Sequence, residues 1–327
     1  MNDVLGIGNA LVDILASVND TFLDEHDLNK STMHLTENDK QELILRDLKK
    51  TTIASGGSVA NTIATLGQLG CDAAFIGQIT DDKWGVFFEQ DMQDLGIETK
   101  LNILKSDEER VSGTSVILIT PDGERTMNTN LGVSSLINKS CLDNDIINNS
   151  KMLYLEGYLY DSLEAKETIN LSVLMAKKQS SKIALSLSDA FCVDRHRVAF
   201  KDLISNIDIL LANESEICSL FEIDNQHLNI EMISEFKNEL PPMVAITQSE
   251  RGATIIENNE IFCIPTVPVI SPIDLTGAGD QFAAGFLFGL INGFNSKKSG
   301  DIGIHLALEI ISRIGPRFAT DEIIKTS

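Results

Sequence analysis

Short apolar runs alternate with helical patterns through the second half of the chain. The apolar runs have the length of buried parallel strands, and the segments between them place apolar residues at helical spacing. This alternation predicts a doubly wound α/β sheet with helices on both faces. We predict strands at Met152–Leu155, Ile183–Leu187, Ile207–Leu211 and Met243–Ile246, and helices at Leu163–Lys178, Glu214–Phe221 and Ile230–Asn238.

The first half of the chain has β-rich stretches that interrupt this rhythm. Ser112–Thr120 and Arg125–Thr129 flank Asp122-Gly123, a pattern that predicts a β-hairpin. We expect residues 14–35 and 106–130 to pair as a small β-sheet that covers the large sheet as a lid. Residues 1–13, 36–105 and 131–327 are then the core α/β unit that binds nucleotide and substrate, and the polar stretch Asp143–Ser150 is expected to be a surface loop.

Composition narrows the class of partner. The 327 residues include 48 acids and 26 bases, for a net charge of −22, so the chain repels nucleic-acid phosphates and anionic membranes. No apolar run approaches the ~20 residues that span a bilayer. Five scattered cysteines and a first segment without a basic stretch before an apolar one favour a cytoplasmic protein with no disulfide or zinc site. The partner is expected to be a small molecule.

The segment D-L-T-G-A-G-D-Q-F, residues 274–282, carries the strongest chemical signal. It opens an apolar helix predicted from Gly277 to Phe294, and the first turn of a helix attracts phosphate oxygens. Gly277 and Gly279 leave that backbone open, and Asp280 stands beside it as a possible proton acceptor. Taken alone, the same residues also fit a helix cap followed by a first-turn acid.

A second glycine motif and several strand ends complete the candidate site. S-G-G-S-V-A-N-T, residues 55–62, opens a helix predicted at Val59–Leu69. Polar residues follow four predicted strands and should line one crevice, namely Glu156-Gly157, Ser188-Asp189, Asn213–Glu216 and Gln248-Ser249. No P-loop motif occurs, and Leu11 replaces the third glycine of a dinucleotide fingerprint, which argues against an NAD-dependent oxidoreductase.

These motifs resemble those of the PfkB (ribokinase-like) kinases. Gly56–Thr62 resembles the N-terminal signature of that family, Asp274–Asp280 its C-terminal signature, and Asn213–Glu216 its N-x-x-E motif. The resemblance runs from about Val4 to Phe318. Four softer features are most similar to the branch of the family that phosphorylates adenosine, namely Gly8–Asp13, Glu156–Leu159, Leu185–Phe191 and Thr247-Gln248.

The resemblance implies a role for each matching residue. Asp280 would be the catalytic base, and the N–H groups of Gly277, Ala278 and Gly279 the anion hole. Substrate-binding residues would be Asn9, Asp13, Gly57, Asn61, Leu131 and Tyr158, with Phe191 as a further base contact and Arg125 reaching the phosphates. Nucleotide-binding residues would be Asn213, Thr247, Gln248, Gly252 and Thr276, and the metal residues Glu216, through water, and Asp274.

The residues themselves leave structural alternatives open. Asp13 also fits a strand-end acid facing water, Asn213 and Glu216 a capping box, and Arg125 a solvated hairpin residue. Tyr158, Leu131 and Phe191 also fit core positions. Three positions depart from the family pattern. Ser249 stands where many members have glycine in T-x-G, and Leu275 and Gln281 are unusual in the C-terminal signature.

The resemblance implies ATP-dependent phosphorylation of the adenosine 5′-hydroxyl, which gives AMP and ADP. It implies ATP as co-substrate and Mg²⁺, and it leaves open a monovalent cation such as K⁺ and a monomer or a homodimer. The alternatives are a kinase of ribose, fructose or another nucleoside, and a purine sensor that transfers no phosphate.

Overall fold

The computed structural model describes residues 1–224, 227–269, 272–320, 322 and 324, and its described strands form two sheets. The strands of the larger sheet are β1 (Val4–Ile7), β5 (Ala73–Thr80), β6 (Glu98–Leu104), β9 (Met152–Glu156), β10 (Lys182–Ser186), β11 (Ile209–Asn213), β12 (Met243–Thr247), β13 (Ala253–Glu257) and β14 (Glu260–Ile264). The smaller sheet contains β2 (Leu11–Ser17), β3 (Met33–Leu35), β4 (Thr52–Gly56), β7 (Gly113–Ile119) and β8 (Arg125–Asn130).

The larger sheet is mostly parallel. Its strand order is β14-β13-β12-β11-β10-β9-β1-β5-β6, and only the β12–β13 and β13–β14 pairs of the described strands are antiparallel. The carboxyl ends of β1, β9, β10, β11 and β12 therefore lie along one edge. In an open α/β sheet this edge is where ligands bind.

Helices cover both faces of this sheet, as the alternating pattern predicts. They are α3 (Ser58–Gln68), α4 (Lys83–Asp94), α5 (Asn144–Asn148), α6 (Leu163–Lys178), α7 (Ala190–Ile204), α8 (Glu214–Phe221), α9 (Ile230–Phe236), α10 (Ala278–Ile291) and α11 (Ser296–Ile310). On one face α5 to α9 pack against Leu153, Leu155 and Leu185, and on the other α3, α4, α10 and α11 pack against Tyr154 and Ala184. Successive residues of a strand point to opposite faces, so both faces of a doubly covered strand are apolar.

The smaller sheet has the order β3-β8-β7-β2-β4, and two helices, α1 (Asp20–Glu25) and α2 (Asn38–Asp47), pack on one of its faces. The predicted hairpin is confirmed as the antiparallel β7–β8 pair, and the two β-rich stretches meet where β2 pairs with β7. Strand β4 also belongs to this sheet, although it lies within residues 36–105, which the sequence pattern assigned to the core unit. No helix among the described residues is long and apolar enough to cross a membrane.

One prediction of local structure is wrong. Asp143–Ser150 is not a surface loop, because Asp143 caps the short helix α5 and its side chain accepts from the N–H groups of Asp145 and Ile146. Ile146 and Ile147 are buried in the core of the larger sheet. A single helical turn with two apolar residues is too short to give a periodic signal, so the polar residues around it dominated the prediction.

Candidate active site

The start of α10 is open and glycine-dependent. Gly277 precedes the helix with φ +80°, and a Cβ there would lie 2.7 Å from Pro316 Cα, so only glycine fits. A Cβ on Gly279 would meet no described atom within 4 Å, which leaves room above the first turn. The N–H of Ala278 donates to Leu275 O at 3.2 Å in this structure. This helix start is the arrangement that favours an anion.

Asp280 lies in the first turn of α10 and is held by α3. Ser58 Oγ donates to one carboxylate oxygen at 2.7 Å, and Asn61 Nδ2 donates to the other at 2.8 Å. Thr62 Oγ1 donates to the Asp280 carbonyl at 3.1 Å. The two glycine motifs, more than 200 residues apart in the chain, therefore meet at one half-buried carboxylate. Burial raises the pKa of Asp280 to about 6, against the lowering effect of these hydrogen bonds and of Arg317.

Asp13 lies on β2, opposite Ser115 of β7, and is 6% exposed. A Cβ on Gly56 would lie 2.5 Å from both carboxylate oxygens, so this glycine makes space for the Asp13 side chain. Within the described part of the chain, no side chain or backbone group donates a hydrogen bond to this carboxylate. Burial raises its pKa to about 7, although Arg317 lowers it. A buried carboxylate without donors is costly unless a ligand supplies them.

Glu156 joins three elements around Asn9 and Gly57. Its Oε1 accepts from Asn9 N at 2.9 Å and from Asn9 Nδ2 at 2.6 Å, and its Oε2 accepts from Val59 N at 2.9 Å. Gly57 has φ +94°, and a Cβ there would lie 2.2 Å from Asn9 O. The Asn9 Oδ1 atom is buried without a partner among the described residues. Sequence reasoning noted Glu156 as a strand-end residue and as the first residue of the Glu156–Leu159 feature, but it assigned the side chain no role.

The three candidate contacts for an acceptor's apolar part lie at two places. Tyr158 follows β9, and its hydroxyl donates to Ser188 O at 3.3 Å. Phe191 is the second residue of α7, which follows β10, and it is 77% exposed. Leu131 lies half-buried after β8, where the smaller sheet joins the core. Tyr158 and Phe191 thus follow the neighbouring strands β9 and β10, and Leu131 follows the end of β8.

Asn213 and Glu216 form the capping box of α8. Glu216 N donates to Asn213 Oδ1 at 2.9 Å, and Asn213 donates to the Glu216 carboxylate from N at 2.9 Å and from Nδ2 at 2.6 Å. Burial raises the pKa of Glu216 to about 7, with Asn213 lowering it and the charges of Asp189 and Asp280 raising it. The capping box that the sequence left open as an alternative is therefore present. Contact of Glu216 with a magnesium ion through water stays a prediction.

The residues predicted to contact the nucleotide are mostly engaged with the protein. Gln248 is buried, and its amide donates to Glu214 and to Leu228 O and accepts from Thr254 Oγ1 at 2.7 Å. Gly252 has φ +86°, and a Cβ there would lie 2.1 Å from Ile264 O. Thr247 and Thr276 are half-buried. The nucleotide roles of these residues stay predictions, and for Gln248 the side-chain amide would first have to leave its partners.

The serine that replaces a family glycine adopts a backbone conformation that favours glycine. Ser249 has φ +50°, in the left-handed region. A non-glycine residue in this region costs of order 1 kcal/mol or more and is often found at a functional loop. Ser188, at another strand end of the same edge, has φ +74°. Ser249 therefore adopts a backbone conformation that glycine would adopt without strain, at a cost in stability.

Arg125 and Asp274 pair with each other instead of facing a ligand. Arg125 lies on the hairpin, and its NH2 group contacts Asp274 Oδ1 at 3.0 Å and donates to Ile273 O at 2.8 Å. The Asp274 carboxylate also accepts from Thr276 N at 2.6 Å and Gly315 N at 2.8 Å. The predicted metal role of Asp274 and phosphate role of Arg125 stay predictions, and each would require this ion pair to open.

The raised pKa values predict how stability depends on pH. Asp13, Glu156, Glu216 and Asp280 all have a pKa above that of an unfolded carboxyl, chiefly because of burial. The folded state therefore binds protons more tightly than the unfolded state. The free energy of unfolding should consequently fall as the pH rises from about 4 through about 7.

We expect the unliganded protein to melt at a higher temperature at about pH 5.5 than at about pH 8, by scanning calorimetry. Asp13→Asn should flatten this dependence, because it removes one of the four carboxyls. A melting temperature that rises across the same pH range would contradict the assignment.

A helix start that favours an anion lies beside the half-buried carboxylate of Asp280, at the carboxyl edge of a doubly wound sheet. This is the arrangement of a phosphotransferase. The model of the pfkB family carbohydrate kinases matches residues 29–323, and the chain belongs to this family. The fold and the enzyme class predicted from the motifs are thereby confirmed.

Three relatives show where in the family the chain stands. The solved structure of adenosine kinase from Sinorhizobium meliloti is 35% identical, covers 97% of this chain and 95% of its own, and has a TM-score of 0.87. That of the probable sugar kinase protein from Rhizobium etli CFN 42 is also 35% identical, covers 97% and 94%, and has a TM-score of 0.88. The adenosine kinase of Saccharomyces cerevisiae is 24% identical over 97% of each chain.

Proposed function

We propose that this protein transfers the γ-phosphoryl group of ATP to the 5′-hydroxyl of adenosine, which gives AMP and ADP. The observation that carries the proposal is the pair of carboxylates at the junction of the two sheets. Asp13 is buried and has no hydrogen-bond donor among the described residues, and Asp280 is oriented by Ser58 and Asn61. The Asp13 carboxylate suits the vicinal hydroxyls of a ribose, and the Asp280 carboxylate suits the hydroxyl that attacks phosphorus.

Each residue then has a defined task. Two ribose hydroxyls donate to Asp13 and relieve the cost of burying its charge. Asp280 accepts the proton of the attacking hydroxyl, and a pKa of about 6 keeps it ionised near neutral pH while it remains a usable base. The first turn of α10 stabilises the charge that develops on the transferring phosphate. The smaller sheet contributes Asp13 to the same site, and as a lid it would exclude water, which otherwise competes as the acceptor.

The residues present fit a magnesium ion that is held mainly by phosphates and water. Mg²⁺ keeps several waters and binds through few carboxylates. Among the described residues no group of three or more His, Cys, Asp or Glu side chains is arranged to hold a metal. Glu216 supplies a buried carboxylate near Asp189 and Asp280 and could orient such waters. When bound, the ion would neutralise phosphate charge in a chain whose 48 acidic residues outnumber its 26 basic ones.

Two observations support adenosine as the acceptor: the relatives of this chain, and the aromatic residues that follow the neighbouring strands β9 and β10. Two of the relatives above are adenosine kinases. Phe191 is exposed after β10 and Tyr158 follows the neighbouring strand β9. Aromatic side chains offer a purine a stacking surface that a free sugar does not need. The second candidate is a sugar kinase, which the name of the Rhizobium etli relative supports.

The experiment is to measure ADP release from ATP and Mg²⁺ with adenosine, inosine, cytidine, ribose and fructose as acceptors. We expect the highest kcat/KM with adenosine, by at least tenfold. Turnover with a free sugar alone would keep the Asp280 chemistry and overturn the adenosine assignment. Binding of adenosine in calorimetry without ADP release would instead support a sensor.

A further inference from the structure

A buried arginine near the end of the described chain lies against the proposed site. The side chain of Arg317 is 7% exposed. Its Nε donates to Asn61 Oδ1 at 2.8 Å, its NH1 contacts Asp91 Oδ2 at 3.0 Å, and its NH2 lies 3.5 Å from Gly56 O. A guanidinium is always a donor and never an acceptor. Each acceptor that it contacts is therefore held in one orientation.

The contact with Asn61 decides which end of that amide faces the base. Asn61 Oδ1 accepts from Arg317, so Nδ2 is the end that points at Asp280 Oδ2, 2.8 Å away. Without a donor on the other side, the amide could rotate by 180° and set its oxygen against the carboxylate. Asp91 of α4 anchors the far side of the guanidinium, which completes a chain from Asp91 through Arg317 and Asn61 to Asp280.

The segment that carries Arg317 is bound to the motif that carries Asp280. Gly315 N donates to Asp274 at 2.8 Å, and Gln281 Nε2 donates to Pro316 O at 2.8 Å. Pro316 also packs against Gly277 so closely that no side chain fits there. These contacts account for Gln281, the unusual residue after the base. They place the arginine and the base at a fixed distance from each other.

We propose that Arg317 is a positioning residue for Asp280: it fixes the Asn61 amide as a donor to the base and sets a permanent positive charge beside the Asp13 and Asp280 carboxylates. The proposal rests on the proposed phosphotransfer. It holds whether the acceptor is a nucleoside or a sugar, because none of these contacts involves the acceptor. Neither glycine signature contains this residue.

The charges around the base all bear on its ionisation. Ser58 and Asn61 of α3 donate to it, and Arg317 lowers its pKa. The acids and phenols that share the site and are influenced by the charge of Asp280 are Asp13 of β2, Tyr154 and Glu156 of β9, Tyr158 after β9 and Glu216 of α8. Arg317 thus acts against several negative groups, and its loss should make Asp280 harder to ionise.

The test is the pH dependence of kcat in Arg317→Met and Arg317→Lys. For Arg317→Met we expect a fall in kcat of about tenfold at neutral pH, the loss expected when a charged hydrogen bond is removed. The acidic limb of the profile should move to higher pH. Arg317→Lys should restore the position of this limb but not the full kcat, because an ammonium group cannot reach Asn61 and Asp91 in the same planar geometry.

The matched control is Arg313→Met. Arg313 lies on the same segment, pairs with Glu309 and Glu322 and lies over the Phe318 ring, and its recorded contacts among the described residues include none of the site. We expect an unchanged profile. Asp91→Asn, which removes the anchor, should shift the limb in the same direction by a smaller amount, and it serves if Arg317→Met does not fold. An unmoved limb in both Arg317→Met and Asp91→Asn, or an equal shift in Arg313→Met, would overturn the proposal.

A second measurement separates this proposal from the proposed function. The carboxyl carbon of Asp280, assigned by its loss in Asp280→Asn, is titrated by ¹³C NMR in the wild type and in Arg317→Met. A higher pKa in the variant supports the positioning role even if no acceptor is phosphorylated. An unchanged pKa overturns the positioning role even if phosphorylation is normal.

Discussion

Asp280→Asn is expected to lower kcat by about 10²- to 10⁴-fold, the range for losing a general base, while the KM for adenosine changes little. The replacement is nearly isosteric and removes a carboxylate whose pKa burial has raised. We therefore expect the melting temperature to stay the same or to rise. Steady-state kinetics with adenosine and ATP, together with calorimetric titration of adenosine, measure the two effects separately.

Asp301→Asn is the matched control, because Asp301 is an exposed acid on α11. It should leave both kcat and KM at their wild-type values. If Asp280→Asn kept more than a tenth of the wild-type kcat, Asp280 would not be the base. If it instead abolished adenosine binding, Asp280 would be a substrate-binding residue.

Asp13→Asn is expected to raise the KM for adenosine by about 10- to 100-fold, which corresponds to weakening hydrogen bonds to a charged group. The effect on kcat should be small, because the ribose hydroxyls are not the reacting group. The variant should also be more stable above about pH 7, because it no longer buries a carboxylate with a pKa of about 7. Kinetics and scanning calorimetry at about pH 8 test both expectations.

Deoxyadenosines sharpen this test. The wild type should discriminate strongly against 2′-deoxyadenosine and 3′-deoxyadenosine, and Asp13→Asn should lose most of that discrimination. Asp24→Asn, an exposed acid on α1 beside the smaller sheet, is the control and should behave as the wild type. Unchanged discrimination in Asp13→Asn would remove Asp13 from the ribose site.

Local patterns in the sequence predicted much of the core fold. Helices α6 and α8 have the predicted bounds. Their apolar periodicity lies within each helix and their capping residues lie directly before it, so local sequence was enough to predict them. Helix α5 was missed because one turn carries no period. Strand β4 joins the smaller sheet through pairing with β2, a contact between segments that no local pattern records.

The site was predictable only where its chemistry is contained in one motif. The two glycine signatures led to Asp280 and Asn61, which the structure brings into contact. Arg317 had no such signal, because its partners are contributed by α3 and α4, more than 200 residues earlier. The Arg125–Asp274 ion pair likewise depends on the meeting of two distant segments.

Phosphoryl transfer from ATP to the 5′-hydroxyl of adenosine is tested most directly by ³¹P NMR of the products formed from ATP, Mg²⁺ and adenosine. The matched control is 5′-deoxyadenosine. The account predicts AMP and ADP in equal amounts with adenosine. It predicts no phosphorylated nucleoside with 5′-deoxyadenosine, which lacks the attacking hydroxyl. A phosphate on the 2′- or 3′-oxygen, or release of inorganic phosphate with no AMP, would contradict the account.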